Sequence, residues 1–347
     1  LGSHVIGDKT EIKSFSIKEK KNSIEIENIL LNKNFKLINF KTAKFNYLDL
    51  KKQINKFDIE RKNKKYHIDG DSFNADKIIE NLTNFEKTKN WNFLNDKFYF
   101  VLNIDQLILD TEFLLKRFKG EINFNQEDIE FANLEGFFSD NKKLSLMIKS
   151  QQGEKVTTLF VDEAESLVKR YKFIKGFSGG VLDFYSTKKN DLSYSTLKIY
   201  DFKLNELPLL TKILTLASLQ GIADILSGEG IGFKEFEMNF QNKKSVITID
   251  EIYAIGPAIS ILMDGYIEKN KLVSLRGTLV PATTLNKVIG SIPFLGKILV
   301  GSKTGEGVFG VSFKIKGPPK NLETSVNPIK TLTPRFITRT LEKIKQN

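Results

Sequence analysis

The sequence predicts a mainly β protein with interspersed helices, and most of the chain is expected to form antiparallel sheet. The first observation is a period-two alternation, in which apolar and polar residues take turns along one segment after another. The second is a polar turn, residues 268–271, that joins two such segments into a hairpin. The third is that helical patterns are few and lie between the strands.

Alternating apolar residues mark the strands, because successive side chains of a strand point to opposite faces. The alternation appears at Ile24 and Ile26; at Phe98, Phe100, Leu102 and Ile104; at Leu182 and Phe184; at Leu197 and Ile199; at Phe236, Met238 and Phe240; and at Phe309, Val311, Phe313 and Ile315. The hairpin pairs the run from Ile259 to Ile267 with the run that begins at Leu272. Each segment is expected to have one dry and one wet face.

Two short helices are predicted between strands. The first covers residues 75–85 and follows Asn74, a residue type that caps helix N-termini. The second covers residues 162–171 and opens with Asp162, which is expected to act in the same way.

Three longer helical patterns lie in the second half. Residues 207–226 are apolar, but Lys212, Asp224 and internal polar positions favour an amphipathic helix or a broken pair over a membrane span. Residues 283–301 form a second amphipathic stretch that Gly and Pro interrupt. A last helix is expected to start at Thr333, with Pro334 in its first turn.

The chain is long enough for two ordinary domains. The composition shifts near residue 160, where a Lys- and Asn-dense half gives way to a half richer in Gly and long aliphatic helices. We therefore place a strand-rich region with one short helix at residues 1–160 and a second domain at residues 161–347.

The charge of +11 at first suggests an acidic partner such as nucleic acid or anionic lipid. The excess is almost all scattered Lys among Asn, Ile and Phe, which codon bias in an AT-rich genome would also produce. No cluster of Arg and Lys follows one element, so a nucleic-acid partner is not expected. Cysteine is absent, and His4 and His67 are far apart without metal-ligand spacing, so no metal or other cofactor is expected.

Two motifs suggest chemistry that their surroundings do not support. Residues 305–310 match G-x-G-x-x-G, but they run into a predicted strand, whereas a dinucleotide site needs a helix there. Residues 176–180 match G-x-S-x-G around Ser178, but a strand follows here too, and both histidines lie upstream. We therefore expect neither nucleotide binding nor enzymatic activity.

An ordered set of short motifs in the second half resembles the C-terminal domain of AsmA-like envelope proteins, of the YhdP and TamB type. The motifs are Gly277-Thr-Leu-Val-Pro281, Leu285-Asn286, Ile292-Pro293-Phe-Leu-Gly296, Gly305-Glu-Gly307-Val-Phe-Gly310 and Val326-Asn-Pro328. The resemblance implies an elongated, curved antiparallel sheet that forms an open hydrophobic groove, with amphipathic helices packed near the C-terminal end. It also implies a periplasmic protein of a Gram-negative type of envelope.

In such proteins the groove is thought to conduct phospholipid from the inner towards the outer membrane. The resemblance thus implies that this chain is the C-terminal part of a bridge-like, non-enzymatic conduit, anchored in the inner membrane by a segment that precedes residue 1. An alternative is a scaffold or assembly factor for outer-membrane proteins that acts by strand augmentation.

The expected partners are phospholipid acyl chains and, at the C-terminal end, a membrane surface or an envelope protein. The candidate residues that line the groove are Ile24, Ile26, Phe98, Phe100, Leu102 and Ile104. The candidate membrane or partner helix presents Phe336, Ile337, Arg339, Leu341 and Ile344. Helices can cover strands in the second half, whereas the first half has too few helices to cover every strand, so the open groove is expected there.

Overall fold

The computed structural model describes a protein built almost entirely of strands. It describes residues 3–6, 8–83, 97–110, 112–125, 128–138, 141–171, 176–205, 207–217, 219, 224, 228–281 and 310–329. Of the described residues, 72% lie in strands and 9% in helices, which confirms the predicted mainly β fold. The chain divides into two compact units, an N-terminal unit at Leu1–Glu163 and a C-terminal unit at Ala164–Asn347.

The N-terminal unit is one sheet with a short helix. Its strands are β1 Ser3–Ile6, β2 Lys9–Glu19, β3 Asn22–Asn32, β4 Leu37–Asn39, β5 Thr42–Leu48, β6 Ile54–Lys62, β7 Lys65–Asn74, β8 Lys97–Ile108, β9 Leu114–Asn125, β10 Asp128–Phe137, β11 Lys143–Gln151 and β12 Glu154–Val161. Neighbours along the chain pair in turn, and β3 pairs with both β4 and β5. All these pairs are antiparallel except β7 with β8.

The parallel pairing of β7 with β8 was not predicted from the sequence. Parallel neighbours need a long connection, because the chain must return to the same end of the sheet. Helix α1, Asp76–Thr83, lies in that connection. The side chain of Asn74 accepts the N–H of Asp76 at 3.0 Å, so it caps the first turn as predicted.

The C-terminal unit is an antiparallel sheet with two described helices. Its strands are β13 Phe177–Lys189, β14 Leu192–Leu204, β15 Ile231–Lys243, β16 Val246–Ile255, β17 Ile259–Glu268, β18 Leu272–Pro281, β19 Gly310–Gly317 and β20 Glu323–Ile329. Helix α2, Ala164–Tyr171, packs on β13, and α3, Pro208–Leu216, packs on β20. The predicted hairpin is confirmed, since Glu268 and Leu272 are the last paired residues before the turn between β17 and β18.

Both faces of the C-terminal sheet are buried at the first residues of β17. Ile259 and Ser260 have no exposed surface, and Ile261 and Leu262 retain 8% each. Since successive strand residues face opposite sides, material lies on both sides of β17. The C-terminal sheet is therefore covered on both faces at this end of β17, whereas residues 263–265 in the middle of the strand are half-buried.

Four helix predictions need comment. Asp162, expected to cap α2, instead accepts the N–H of Lys143 at 2.9 Å, so the helix begins at Ala164 without that cap. The predicted helix at 207–226 starts as expected, but α3 ends at Leu216. The predicted helices at 283–301 and from Thr333 onward lie outside the described residues. Among the residues described, no helix is long and apolar enough to cross a membrane.

Candidate functional site: the apolar face of the N-terminal unit

One face of the N-terminal sheet carries an unbroken row of apolar residues. The row follows from strand register, because directly paired residues of neighbouring strands share a face. We call it the apolar strip, and its members, from β2 to β12, are Phe15, Ile26, Ala43, Ile59, Ile68, Leu102, Gly120, Leu134, Leu146 and Leu159. The strip crosses ten strands in succession without one polar side chain.

The apolar strip is open enough to contact a ligand. Ala43 and Leu134 are buried, while the other eight members are half-buried. Side chains that are half-buried keep part of their surface accessible. The strip is therefore an apolar surface that is shielded in part but not covered.

Two further rows flank the strip on the same face. One row runs through Ile17, Ile24, Phe45, Phe57, Gly70, Ile104 and Phe118. The other runs through Tyr66, Phe100, Ile122, Ala132 and Ile148. Together the three rows form the apolar face of this unit.

Aromatic rings pack against one another within the apolar face. The rings of Phe45 and Phe57 stack with centroids 4.7 Å apart, and Tyr66 stacks on Phe98 at 5.5 Å. The Tyr66 hydroxyl accepts the N–H of Phe40 at 3.4 Å. Burial raises the pKa of Tyr66, although that hydrogen bond and the nearby Arg61 act in the opposite direction. Tyr66 therefore stays a neutral part of the apolar face near pH 7.

The six predicted groove residues all lie on this face. Ile24 and Ile26 are in β3, and both are half-buried. In β8, Phe100 and Leu102 are half-buried, whereas Phe98 and Ile104 keep only 2% of their surface exposed. The six residues thus share one face but form two groups, in β3 and β8, with three strands between them. Phe98 and Ile104 are packed and the other four are half-buried. The candidate helix with Phe336, Ile337, Arg339, Leu341 and Ile344 lies outside the described residues.

A bulge extends the apolar face beyond what alternation predicts. The register between β6 and β7 shifts by one residue at Lys56 and Phe57, so Asp71 has no backbone partner in β6. The shift returns Phe73 to the side of Phe57, and their rings meet edge to face at 5.1 Å. Strict alternation from Ile68 would have placed Phe73 on the opposite face, so sequence reasoning missed it.

The opposite face of the same sheet is polar. From β2 to β11 its central row is Ser16, Glu25, Lys44, Asp58, Asp69, Asn103, Lys119, Glu135 and Ser145, and its member in β12 is the apolar Phe160. Ion pairs and hydrogen bonds join residues of this face. Lys18 Nζ lies 2.6 Å from the Glu25 carboxylate, and the Asn103 side chain donates to Asp69 at 3.0 Å. The N-terminal unit is therefore an amphipathic sheet, with one face suited to water and one suited to apolar groups.

Glu135 on the polar face links three strands. Its carboxylate lies 2.9 Å from Lys143 Nζ and 3.1 Å from Lys119 Nζ. The hydrogen bonds from Lys143 and then Lys119 lower the pKa of Glu135 below its usual value of 4.5, against a smaller opposing effect of burial. A carboxyl group with a lowered pKa stabilises the fold above that usual value, and the contribution is lost as the pH falls through the folded-state pKa.

We expect Glu135→Gln to reduce the free energy of unfolding at pH 7 by about 0.5 kcal/mol, since the partners are largely solvated. At pH 3 the difference from the unmodified protein should shrink. Urea unfolding at the two pH values measures this. Glu154→Gln, at an exposed position of β12, is the control. If Glu135→Gln lowered the free energy of unfolding more at pH 3 than at pH 7, the result would contradict a stabilising role for the ion pairs of Glu135.

A cleft with two cations lies at one end of the apolar face. Arg61 pairs in register with Tyr66 and therefore shares its face. The cleft has a volume of about 340 Å³ and is lined by Glu11, Asn28, Leu30, Asn39, Phe40, Lys41 and Arg61. Apolar groups, two cations and the Glu11 carboxylate thus lie side by side there, and the cleft carries one net positive charge.

The motifs that suggested chemistry lie in strands where they are described. Ser178 is in β13, opposite Lys203, and the strand continues beyond it. Gly310 is the first residue of β19, where an added Cβ would lie 2.6 Å from the carbonyl oxygen of Leu279. Close approach of β18 therefore explains this glycine. Gly305 and Gly307 lie outside the described residues, and no group of three or more potential metal ligands occurs among the residues that are described.

Comparisons with protein-family models, curated proteins and solved structures found no match. The fold and the candidate site define a class of protein, a mainly β protein with an amphipathic sheet in its N-terminal unit. The resemblance to AsmA-like envelope proteins stays a prediction from the sequence motifs.

Proposed function

We propose that the protein is a non-enzymatic envelope protein that conducts phospholipid, with acyl chains held along the apolar face of the N-terminal unit. The observation that carries the proposal is the apolar strip, which crosses ten strands and is half-buried over most of its length. The placement in the envelope, as the C-terminal part of a bridge between two membranes, rests on the sequence resemblance.

The length of the strip supports a path over a single binding pocket. Neighbouring strands are about 4.8 Å apart, so ten strands place about 43 Å between the first and the last member. One acyl chain spans half of the hydrocarbon core of a bilayer, about 15 Å. The strip therefore has room for more than one acyl chain in succession, as a conduit requires.

The energetics also support the proposal. Exposing an acyl chain of about 16 carbons to water costs about 0.8 kcal/mol per CH₂, or roughly 13 kcal/mol per chain. A continuous apolar surface offsets much of this cost at each position along the path. Because the opposite face carries paired charges, the sheet can hold a chain on one side and stay hydrated on the other.

The cleft near Arg61 and Lys41 is a candidate place for the anionic end of a lipid, although the Glu11 carboxylate in the same cleft offsets one of the two positive charges. Leu30 and Phe40 border the same cleft, so a chain on the apolar face and a phosphate beside the cations can be held together. Charge-assisted hydrogen bonds from Arg to phosphate are among the stronger polar contacts in proteins.

Site-specific photo-crosslinking tests the proposal on two adjacent residues. A benzophenone side chain at Leu102 faces the strip, whereas one at Asn103 faces the polar side of the same strand. In cells that express the chain, we expect phospholipid adducts at Leu102 and at least tenfold fewer at Asn103. Equal lipid labelling at the two positions would contradict the proposal. Adducts with protein alone at Leu102 would favour the scaffold alternative.

A further inference from the structure

The turn between β5 and β6 carries three exposed aliphatic side chains. Leu48, Leu50 and Ile54, which we call the apolar tip, have exposed fractions of 50%, 105% and 56%. Leu48 and Ile54 are direct cross-strand partners, and Leu50 lies in the turn between them. Aliphatic side chains this exposed at one place are uncommon unless the surface meets a partner or a membrane.

Hydrogen bonds hold this turn in one conformation. The Asp49 carboxylate accepts the N–H of Lys51 at 2.8 Å and of Gln53 at 2.9 Å, and Asn74 donates to its other oxygen. Burial opposes ionisation of Asp49, but these hydrogen bonds together outweigh it and lower the pKa of that carboxyl. Leu50 is therefore held outward by a structured turn, and little conformational entropy is left to lose on docking.

Lysines surround the apolar tip. Lys51 and Lys52 lie in the same turn, and Lys20 and Lys21 lie in the turn between β2 and β3. The two turns are neighbours, because the N–H of Leu48 donates to the side chain of Asn22 at 3.0 Å.

The nearby carboxylates offset most of this positive charge. Asp49 lies in the same turn, and Asp76 lies 2.6 Å from Lys51 Nζ. Glu19 directly precedes Lys20, and both are exposed, as are Lys21 and Lys52. The four lysines exceed the three carboxylates by one, so the surface is an aliphatic knob with a small excess of positive charge.

We propose that the apolar tip docks the N-terminal unit on a bilayer that contains anionic lipid. The aliphatic side chains would enter the boundary between headgroups and acyl chains, and the lysines would lie among the phosphates. Three protruding side chains are too few for a stable protein interface, which buries about 800 Å² on each partner. The small size of the tip and its excess of lysine therefore favour a membrane over a protein.

Leu48 and Ile54 project on the polar side of the sheet, because each lies four positions from a member of the paired residues Lys44 and Asp58. The tip therefore docks the end of this hairpin and does not by itself turn the apolar face towards the membrane. The docking proposal is independent of lipid transport, because it concerns vesicle binding by the tip and not occupancy of the strip.

Vesicle flotation tests the docking. The protein is mixed with vesicles of phosphatidylcholine alone or with about 30% phosphatidylglycerol, the latter carrying the surface charge. The change Leu48→Ser, Leu50→Ser and Ile54→Ser should lower binding to the anionic vesicles about 30-fold, since each lost side chain removes part of its transfer free energy. The control is Phe35→Ser, a 74% exposed residue in the turn after β3, at the other end of that strand. We expect it to change binding less than twofold.

A second triple variant separates charge from apolar insertion. Lys20→Gln, Lys21→Gln and Lys52→Gln should remove the preference for anionic vesicles. Unchanged binding of the serine variant, an equal loss with Phe35→Ser, or equal wild-type binding to neutral vesicles would each overturn the proposal.

Fluorescence reports insertion directly. Leu50→Trp in a Trp91→Phe background leaves one tryptophan, at the tip. Its emission should shift to shorter wavelength when anionic vesicles are added, whereas an emission maximum that stays at the position of hydrated tryptophan would overturn the proposal. All changed tip residues are exposed, so the variants should keep the melting temperature of the parent protein.

Discussion

Leu102→Asp is expected to remove phospholipid from the N-terminal unit. Leu102 is a central member of the apolar strip, between Ile68 and Gly120. A carboxylate at this position would lose its hydrating water when an acyl chain lies over it, which is costly. If it kept that water, the apolar surface would be interrupted and the chain could not lie across it. Because burial of an unpaired charge costs several kcal/mol, we expect bound lipid to fall by at least about 100-fold.

The measurement is the lipid phosphate that co-purifies with each variant. Asn46→Asp is the matched control, because Asn46 is exposed on the polar face and pairs in register with Lys56. It should keep the lipid content of the parent protein. Ile26→Asp repeats the test at the other end of the strip and should also lose lipid. Parent-level lipid in both strip variants, with folding intact by circular dichroism, would contradict a role for the strip.

Gly120→Ala is expected to have the largest effect on stability of the changes considered. Gly120 has φ +146°, and an added Cβ would lie 2.0 Å from the carbonyl oxygen of Asn133 in the next strand. Relief of that overlap requires β9 and β10 to separate at the middle of the strip. We expect a loss of about 3 kcal/mol, a large part of the 5–15 kcal/mol that stabilises a typical protein.

Gly153→Ala separates steric overlap from backbone strain. Gly153 has φ +78°, yet an added Cβ there would meet no atom within 4 Å. Its replacement should therefore cost about 1 kcal/mol from strain alone. Urea unfolding of both variants gives the two values. Equal losses at Gly120 and Gly153 would show that the contact between β9 and β10 is not as tight as the structure has it.

Local patterns predicted eight of the twenty described strands, namely β3, β8, β13, β14, β15, β17, β18 and β19. The alternation at Phe98, Phe100, Leu102 and Ile104 identified β8 and its apolar face, because side-chain direction in a strand depends only on sequence position. The turn at residues 268–271 identified the hairpin of β17 and β18 for a similar reason. Asn74 identified the start of α1, since capping is a contact between near neighbours.

Features that depend on distant pairing could not be predicted. The apolar strip needs the register of ten strands, and one residue of slip in any of them would turn its side chain to the other face. The bulge that returns Phe73 to the apolar face leaves no sign in a single strand. Asp162 is a residue type that often caps helices, but its carboxylate accepts the backbone N–H of Lys143 in a neighbouring strand instead.

The apolar tip could not be predicted from the sequence either. Leu48, Leu50 and Ile54 look in sequence like ordinary core residues, and only the fold shows that they project into water. The turn around Asp49 is visible as a polar interruption, but its hydrogen bond with Asn74 joins residues from two different hairpins. Exposure of an apolar residue is a property of packing, so a sequence pattern alone does not reveal it.

Mass spectrometry of lipids that co-purify with the chain tests the central claim most directly. The protein is isolated without detergent or in a mild one, and bound molecules are identified after extraction and counted against protein. We predict one or more phospholipid molecules per chain, lost in Leu102→Asp and retained in Asn46→Asp. Protein that carries no phospholipid, or that carries the same amount after both changes, would contradict the claim that the apolar face of the N-terminal unit holds acyl chains.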